Sequence, residues 1–176
     1  MNIGRAVVGT SAALAIAAAA GFGYVVFASP SVDSYGAFTA CMASDSGHDY
    51  FFGIGEVANN GRQDIVLLAV EPLTVEGLDV IDFTVPTQSG IGIVEASEEG
   101  FEEYGLSPVA GTIVTPGEHV DLVAQLTPVI ANGFATVFEV TYKNAYGITH
   151  TAVFTNIVGF APSSFDEDDD MSNCGT

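Results

Sequence analysis

From Tyr50 to Phe160 the chain reads as short runs of alternating apolar and polar residues, each ended by a turn signal. A period of two puts successive side chains on opposite faces, so each run is a half-buried strand. Tyr50–Ala58 and Asp64–Leu73 flank Asn59-Asn60-Gly61. Its Asn-Gly step supplies the positive φ of a tight turn and predicts a hairpin between the two runs. Leu78–Pro86 places Ile81, Phe83 and Val85 on one face, and Ile91–Glu95 is a shorter candidate. After a break at Thr115-Pro116-Gly117, His119–Ile130 sets Val120, Leu122, Ala124 and Leu126 against Asp121, Val123, Gln125 and Thr127. Asn132-Gly133 turns the chain into Phe134–Lys143, where Thr136, Phe138, Val140 and Tyr142 share a face. A last hairpin around Asn144–Gly147 leads into Ile148–Phe160. The count is about seven or eight strands at sandwich spacing, with no strand–helix alternation.

One segment reads as helix. Ser97 suits an N-cap, Glu98 and Glu99 suit the positive end of the helix dipole, and Gly105 suits a C-terminal stop. Phe101 and Tyr104 would pack inward. The pairs Glu98/Glu102 and Glu99/Glu103 repel, so the expectation is at most two turns, crossing between sheets.

The N-terminus is of another kind. From Ala6 to Ala28 there are 23 residues without a charge. As a helix rising about 1.5 Å per residue they reach roughly 34 Å, enough for a hydrocarbon core of about 30 Å. Positive charge lies only on the N-terminal side, at Arg5 and the amine, which places the N-terminus in the cytoplasm and the remainder outside. Two outcomes stay open. Val26-Phe27-Ala28 fits a cleavable signal, and the length of the run fits an uncleaved signal anchor. The expected location is the cell membrane with an extracytoplasmic domain, or secretion after cleavage near Ala28. The organisation then reads as 1–28 signal peptide or signal anchor, 29–47 linker and first edge segment, 48–162 sandwich, and 163–176 acidic tail.

Charge removes several functions. Asp plus Glu number 22 against three Lys plus Arg, a net charge of −19. Nucleic-acid binding needs clustered cations that displace counterions, and this chain has none. Nor is there a polybasic stretch for an anionic membrane surface, so membrane contact would run through the N-terminal helix if uncleaved. With 48% hydrophobic residues, the chain is too apolar for wholesale disorder.

The run Gly55-Glu56-Val57-Ala58-Asn59-Asn60-Gly61 with Ile65–Val70 and Pro72-Leu73, and the later Thr115-Pro116-Gly117-Glu118-His119-Val120, carry a resemblance. They resemble the strand-turn-strand and the Pro-Gly strand start of bacterial extracytoplasmic immunoglobulin-like domains of small cell-envelope proteins. The resemblance spans roughly residues 48–160 and implies a mainly β fold: an immunoglobulin-like antiparallel β-sandwich preceded by a hydrophobic helix. It carries over no catalytic residues. The chain lacks the core Trp and the inter-sheet Cys pair of antibody domains.

The chemistry-bearing residues are sparse. Asp166-Glu167-Asp168-Asp169-Asp170 could attract calcium, but an EF-hand loop counted from Asp166 meets Met171 at the position that needs Gly, so the run reads as a solvated tail. His48, His119 and His150 show no metal-ligand spacing, and there is no G-x-S-x-G, G-x-G-x-x-G or Walker loop. Among 22 acids, carboxylate pairs arise too easily to signal glycoside cleavage. No catalytic residue, metal or cofactor is assigned. The expected function is a non-catalytic envelope protein whose sandwich binds another component, an extracytoplasmic protein or a wall polymer. The alternative is a hydrolase or metal-dependent enzyme with an unfamiliar motif. Finally, Cys41 and Cys174, the two cysteines, both follow the apolar run and would meet an oxidising compartment, so a disulfide between them is expected.

Overall fold

Strand pairing in the computed structural model, which describes residues 32–34, 39–43 and 48–161, divides the chain into two layers. In chain order the elements are β1 (Val32–Ser34), β2 (Thr39–Ala43), β3 (Tyr50–Asn59), β4 (Ile65–Glu76), β5 (Leu78–Val85), β6 (Ile93–Glu95), α1 (Glu98–Tyr104), β7 (Ser107–Pro108), β8 (Ile113–Val114), β9 (His119–Pro128), β10 (Phe134–Asn144) and β11 (Thr149–Ala161). One sheet runs β1-β3-β9-β5-β7, with β6 also on β3, and the other runs β2-β11-β10-β4-β8. All pairings are antiparallel except β2 on β11. The short candidate Ile91–Glu95 forms β6, and the strands missed in the sequence, β7 and β8, are two residues long. The segment 29–47, read as linker and first edge, supplies an edge to each sheet through β1 and β2.

The inward residues fill the space between the layers. Phe52, Ile54, Leu122 and Leu126 from one sheet meet Leu67, Phe138, Phe154 and Phe160 from the other, all fully buried. Rings meet edge to face, Phe52 on Phe160 at 5.3 Å and Phe83 on Phe138 at 6.2 Å, the geometry the ring quadrupoles favour. The alternation expected along β9 holds for Leu122, Ala124 and Leu126. Its outward-facing Val123 is also buried, opposite Gly53, on which the Ile91–Gly92 backbone packs.

The helix forms on the expected signals: Ser97 Oγ accepts from Gly100 N at 3.1 Å, and Gly105 takes φ 58°. It does not cross between sheets. It lies over the outer face of one sheet, between β6 and β7, where Phe101 packs edge-on against the buried Phe51 at 4.9 Å.

Three expectations need correction. The hairpin at Asn59-Asn60-Gly61 does not form: β3 pairs with β1, β6 and β9, and β4 with β8 and β10. The turn instead carries the chain from one layer to the other. Buried Asn59 organises it, its Oδ1 accepting from Gly61 N (3.0 Å) and its Nδ2 donating to Gln63 O (2.9 Å) and Val114 O (2.8 Å). Second, Ile81 does not share a buried face with Phe83 and Val85. A register shift between Val80 and Asp82 reverses the inward phase there and leaves Ile81 exposed. Third, Thr136 is not in line with Phe138, Val140 and Tyr142. Val137 sits at φ 55°, the phase flips, and Ala135 takes the buried position.

The hairpin at Asn144–Gly147 is present, with Asn144 Oδ1 accepting from Tyr146 N and Ile148 N at 3.0 Å each. Elsewhere the crossings between layers are short. β4 passes into β5 through Gly77 alone, at φ 65°. Gly133 packs on the Gly77 backbone and Gly159 on that of Gly133, so the backbones approach closely at this end of the sandwich, with the Ile130 side chain against Gly77.

Candidate functional site

The three histidines have separate partners. His48 Nδ1 lies 2.9 Å from Glu95 Oε1, and His119 Nδ1 pairs with Glu56 Oε1. His150 stacks on Tyr142 at 5.6 Å and meets Asn144 Nδ2 through Nε2 at 3.4 Å. Register sets His119 opposite Ala58 and Glu95 opposite Tyr50, which separates the first two pairs by eight residues of β3, roughly 26 Å. Burial pushes the Tyr142 phenol above its ordinary value. Among the described residues no three His, Cys, Asp or Glu side chains gather in metal-holding geometry.

Polar side chains gather along an open groove of about 610 Å³ lined by Glu56, Glu118, His119, Asp121, Thr87 and Ser89, among others. A neighbouring groove of about 400 Å³ shares Glu56 and Asp121 and is walled by Gly53, Gly55, Gly90 and Gly92. Glu56 and Asp121 oppose one another across β3 and β9. Asp121 Oδ2 accepts from Gly90 N at 2.8 Å, and Glu118 Oε2 from Thr115 N at 2.8 Å. These carboxylates thus hold neighbouring loops by their backbone.

A different feature occupies one flank of the sandwich. β8 pairs only with Ile65 and Val66, and Leu67 adds bonds to Thr112 O and from Gly111 N, both 2.9 Å. From Leu68 to Glu76 the outer side of β4 faces no strand among the described residues. β5 is likewise covered by β7 only at Thr84 and Val85. Both sheets are therefore open on the same side, joined at Gly77. One sign of this is legible in the sequence: Pro72 between Glu71 and Leu73 suits an edge position.

Cys41 sits in β2 beside Gly159 of β11, half-buried, while Cys174 lies outside the described residues. The apolar run 6–28 and the acidic run 166–170 lie outside them as well. No described helix is long and apolar enough to cross a membrane.

Taking β1, β3, β4, β5, β9, β10 and β11 as strands A to G, one sheet holds A, B, E and D in that order, and the other G, F and C. That order defines an immunoglobulin-like β-sandwich, as the resemblance implied. No protein-family model matches the chain, and no relative is found among curated proteins. Among solved structures, the chain is similar to the ASH / PapD-like domain of human CEP192 (PapD-like domain 7). The match has 11% identity and TM-score 0.42, and covers 77% of this chain and 89% of that one.

Proposed function

We propose that the chain is a non-catalytic binding module of the cell envelope, held at the membrane by its N-terminal apolar run or secreted after its removal, and engaging another extracytoplasmic protein or a wall component. The observation that carries this reading is the immunoglobulin-like sandwich with an apolar-filled interior and one flank where both sheets are open. Such a domain offers surfaces and edges. The uncharged residues 6–28 support export. Photo-crosslinking of the full chain in intact cells, with fractionation and N-terminal sequencing of the mature form, tests it. The expected result is a specific crosslinked partner outside the cytoplasm, and a cytoplasmic chain without one would overturn it.

A second reading, hydrolase or metal-dependent enzyme, draws on the Glu56–His119 pair beside Asp121 in the larger groove. It requires an activity that Glu56→Gln abolishes while the fold persists.

A further inference from the structure

We propose that the flank formed by β4 and β5 docks a cationic, extended segment of a partner protein, which adds as a strand along β4. The proposal rests on the binding-module reading and names its surface and the chemistry of its partner.

Three features of the flank act together. The first is the backbone: an edge strand presents unpaired N–H and C=O groups that a further strand can take up, and β4 from Leu68 to Glu76 is such an edge among the described residues. The second is exposed apolar surface. Leu73, Val75 and Ile81 lie on the flank, and Val129 and Ile130 lie at its vertex, where both their amides donate to Gly77 O. Five of the nine exposed large hydrophobic residues among the described residues thus lie on β4, on β5 or in the turn that meets them at Gly77.

The third is charge. Glu71, Glu76, Asp79 and Asp82 are all exposed along the same two strands. The nearest cations on β10 and in the preceding turn do not answer them: Lys143 is opposite Val66, at the far end of β4, and Arg62 precedes the strand.

Charge also selects the occupant. A second copy would bring the same four acids to the contact. The chain's own run Asp166–Asp170 has the same sign. A cationic strand that also carries apolar residues fits all three features: it pairs with the backbone, adds apolar contact beside Leu73 and Val75, and brings positive charge to a flank lined by Glu71, Glu76, Asp79 and Asp82.

The test uses the full chain and a blocked synthetic peptide of about eight residues alternating lysine and valine. A lysine–glycine peptide of equal charge and a glutamate–valine peptide serve as controls. The lysine–valine peptide should bind and shift the amide resonances of residues 68–71 and 73–76. Binding should weaken about tenfold in 0.5 M salt and by a similar factor in Glu71→Lys/Glu76→Lys, whose exposed positions spare the core. Four results would overturn the proposal: equal binding of the lysine–glycine peptide, shifts confined to α1 or the grooves, indifference to the double substitution, or a dimer of the chain occupying this flank. Discovery in cells of a partner crosslinked elsewhere on the sandwich would leave the binding-module reading standing while this assignment fell.

Discussion

Gly133→Ala isolates what the glycine-packed end of the sandwich contributes. A methyl group at residue 133 would overlap the Gly77 carbonyl oxygen and lie 2.7 Å from its carbon and 3.0 Å from Leu78 Cβ. Two of those atoms are backbone, so no side chain can swing away. The Gly77 carbonyl also accepts from Val129 N at 3.0 Å and Ile130 N at 2.9 Å, and moving it strains both bonds. Overpacking costs about 1–3 kcal/mol and each weakened hydrogen bond about 0.5–1 kcal/mol, which together give roughly 3 kcal/mol. In a domain of this size that lowers Tm by roughly 10 °C. Gly92→Ala is the matched control, because nothing lies within 4 Å of a methyl group there and neither glycine has a positive φ. Urea unfolding followed by far-UV circular dichroism suits a chain without Trp. A difference between the two variants below about 1 kcal/mol would refute the steric argument.

Three further outcomes follow from particular side chains. Asn59→Ala strips the buried Val114 carbonyl of its donor and should cost about 2–3 kcal/mol in urea unfolding, whereas Asn60→Ala, at an exposed position, should cost far less. Because burial raises the Tyr142 pKa, its contribution to stability is fully present below the unfolded value of 10.0 and is lost as pH rises through the folded value. Tyr142→Phe should therefore flatten the fall in stability above pH 10, and an unchanged slope would count against the assignment. For the proposed Cys41–Cys174 disulfide, the unfolded, unreduced chain should take up no thiol reagent and the reduced chain two equivalents; uptake without reduction would end it.

How the sequence misled is as informative as how it led. Val120–Leu126 and the Asn144 hairpin were legible because alternation and turn chemistry are local. The Asn59-Asn60-Gly61 turn was not, since Asn-Gly supplies the same backbone whether the next strand pairs with the last or leaves for the other layer. What decides is the nonlocal bond from Asn59 Nδ2 to Val114 O, 55 residues away. The phase reversals at Ile81 and Val137 are likewise invisible: the first is a register shift against β9, and the second needs a β-branched residue at φ 55°, the last thing a strand pattern suggests. Of the flank, only Pro72, beside Glu71, carries an edge signal in the sequence. That both sheets open on one side depends on Gly77, which in sequence looks like any turn glycine.

The parallel contact of β2 with β11 has a mechanical meaning. The chain enters β2 at Thr39 and leaves β11 at Ala161, while register pairs Thr39 with Ile157 and Ala43 with Ala161. Tension drawn through the residues before β2 and after β11 therefore pulls the two strands past each other along their length. Their cross-links bear that load together, whereas a hairpin pulled from its open end yields one rung at a time. A load applied between those two ends of the chain therefore meets this seam in shear.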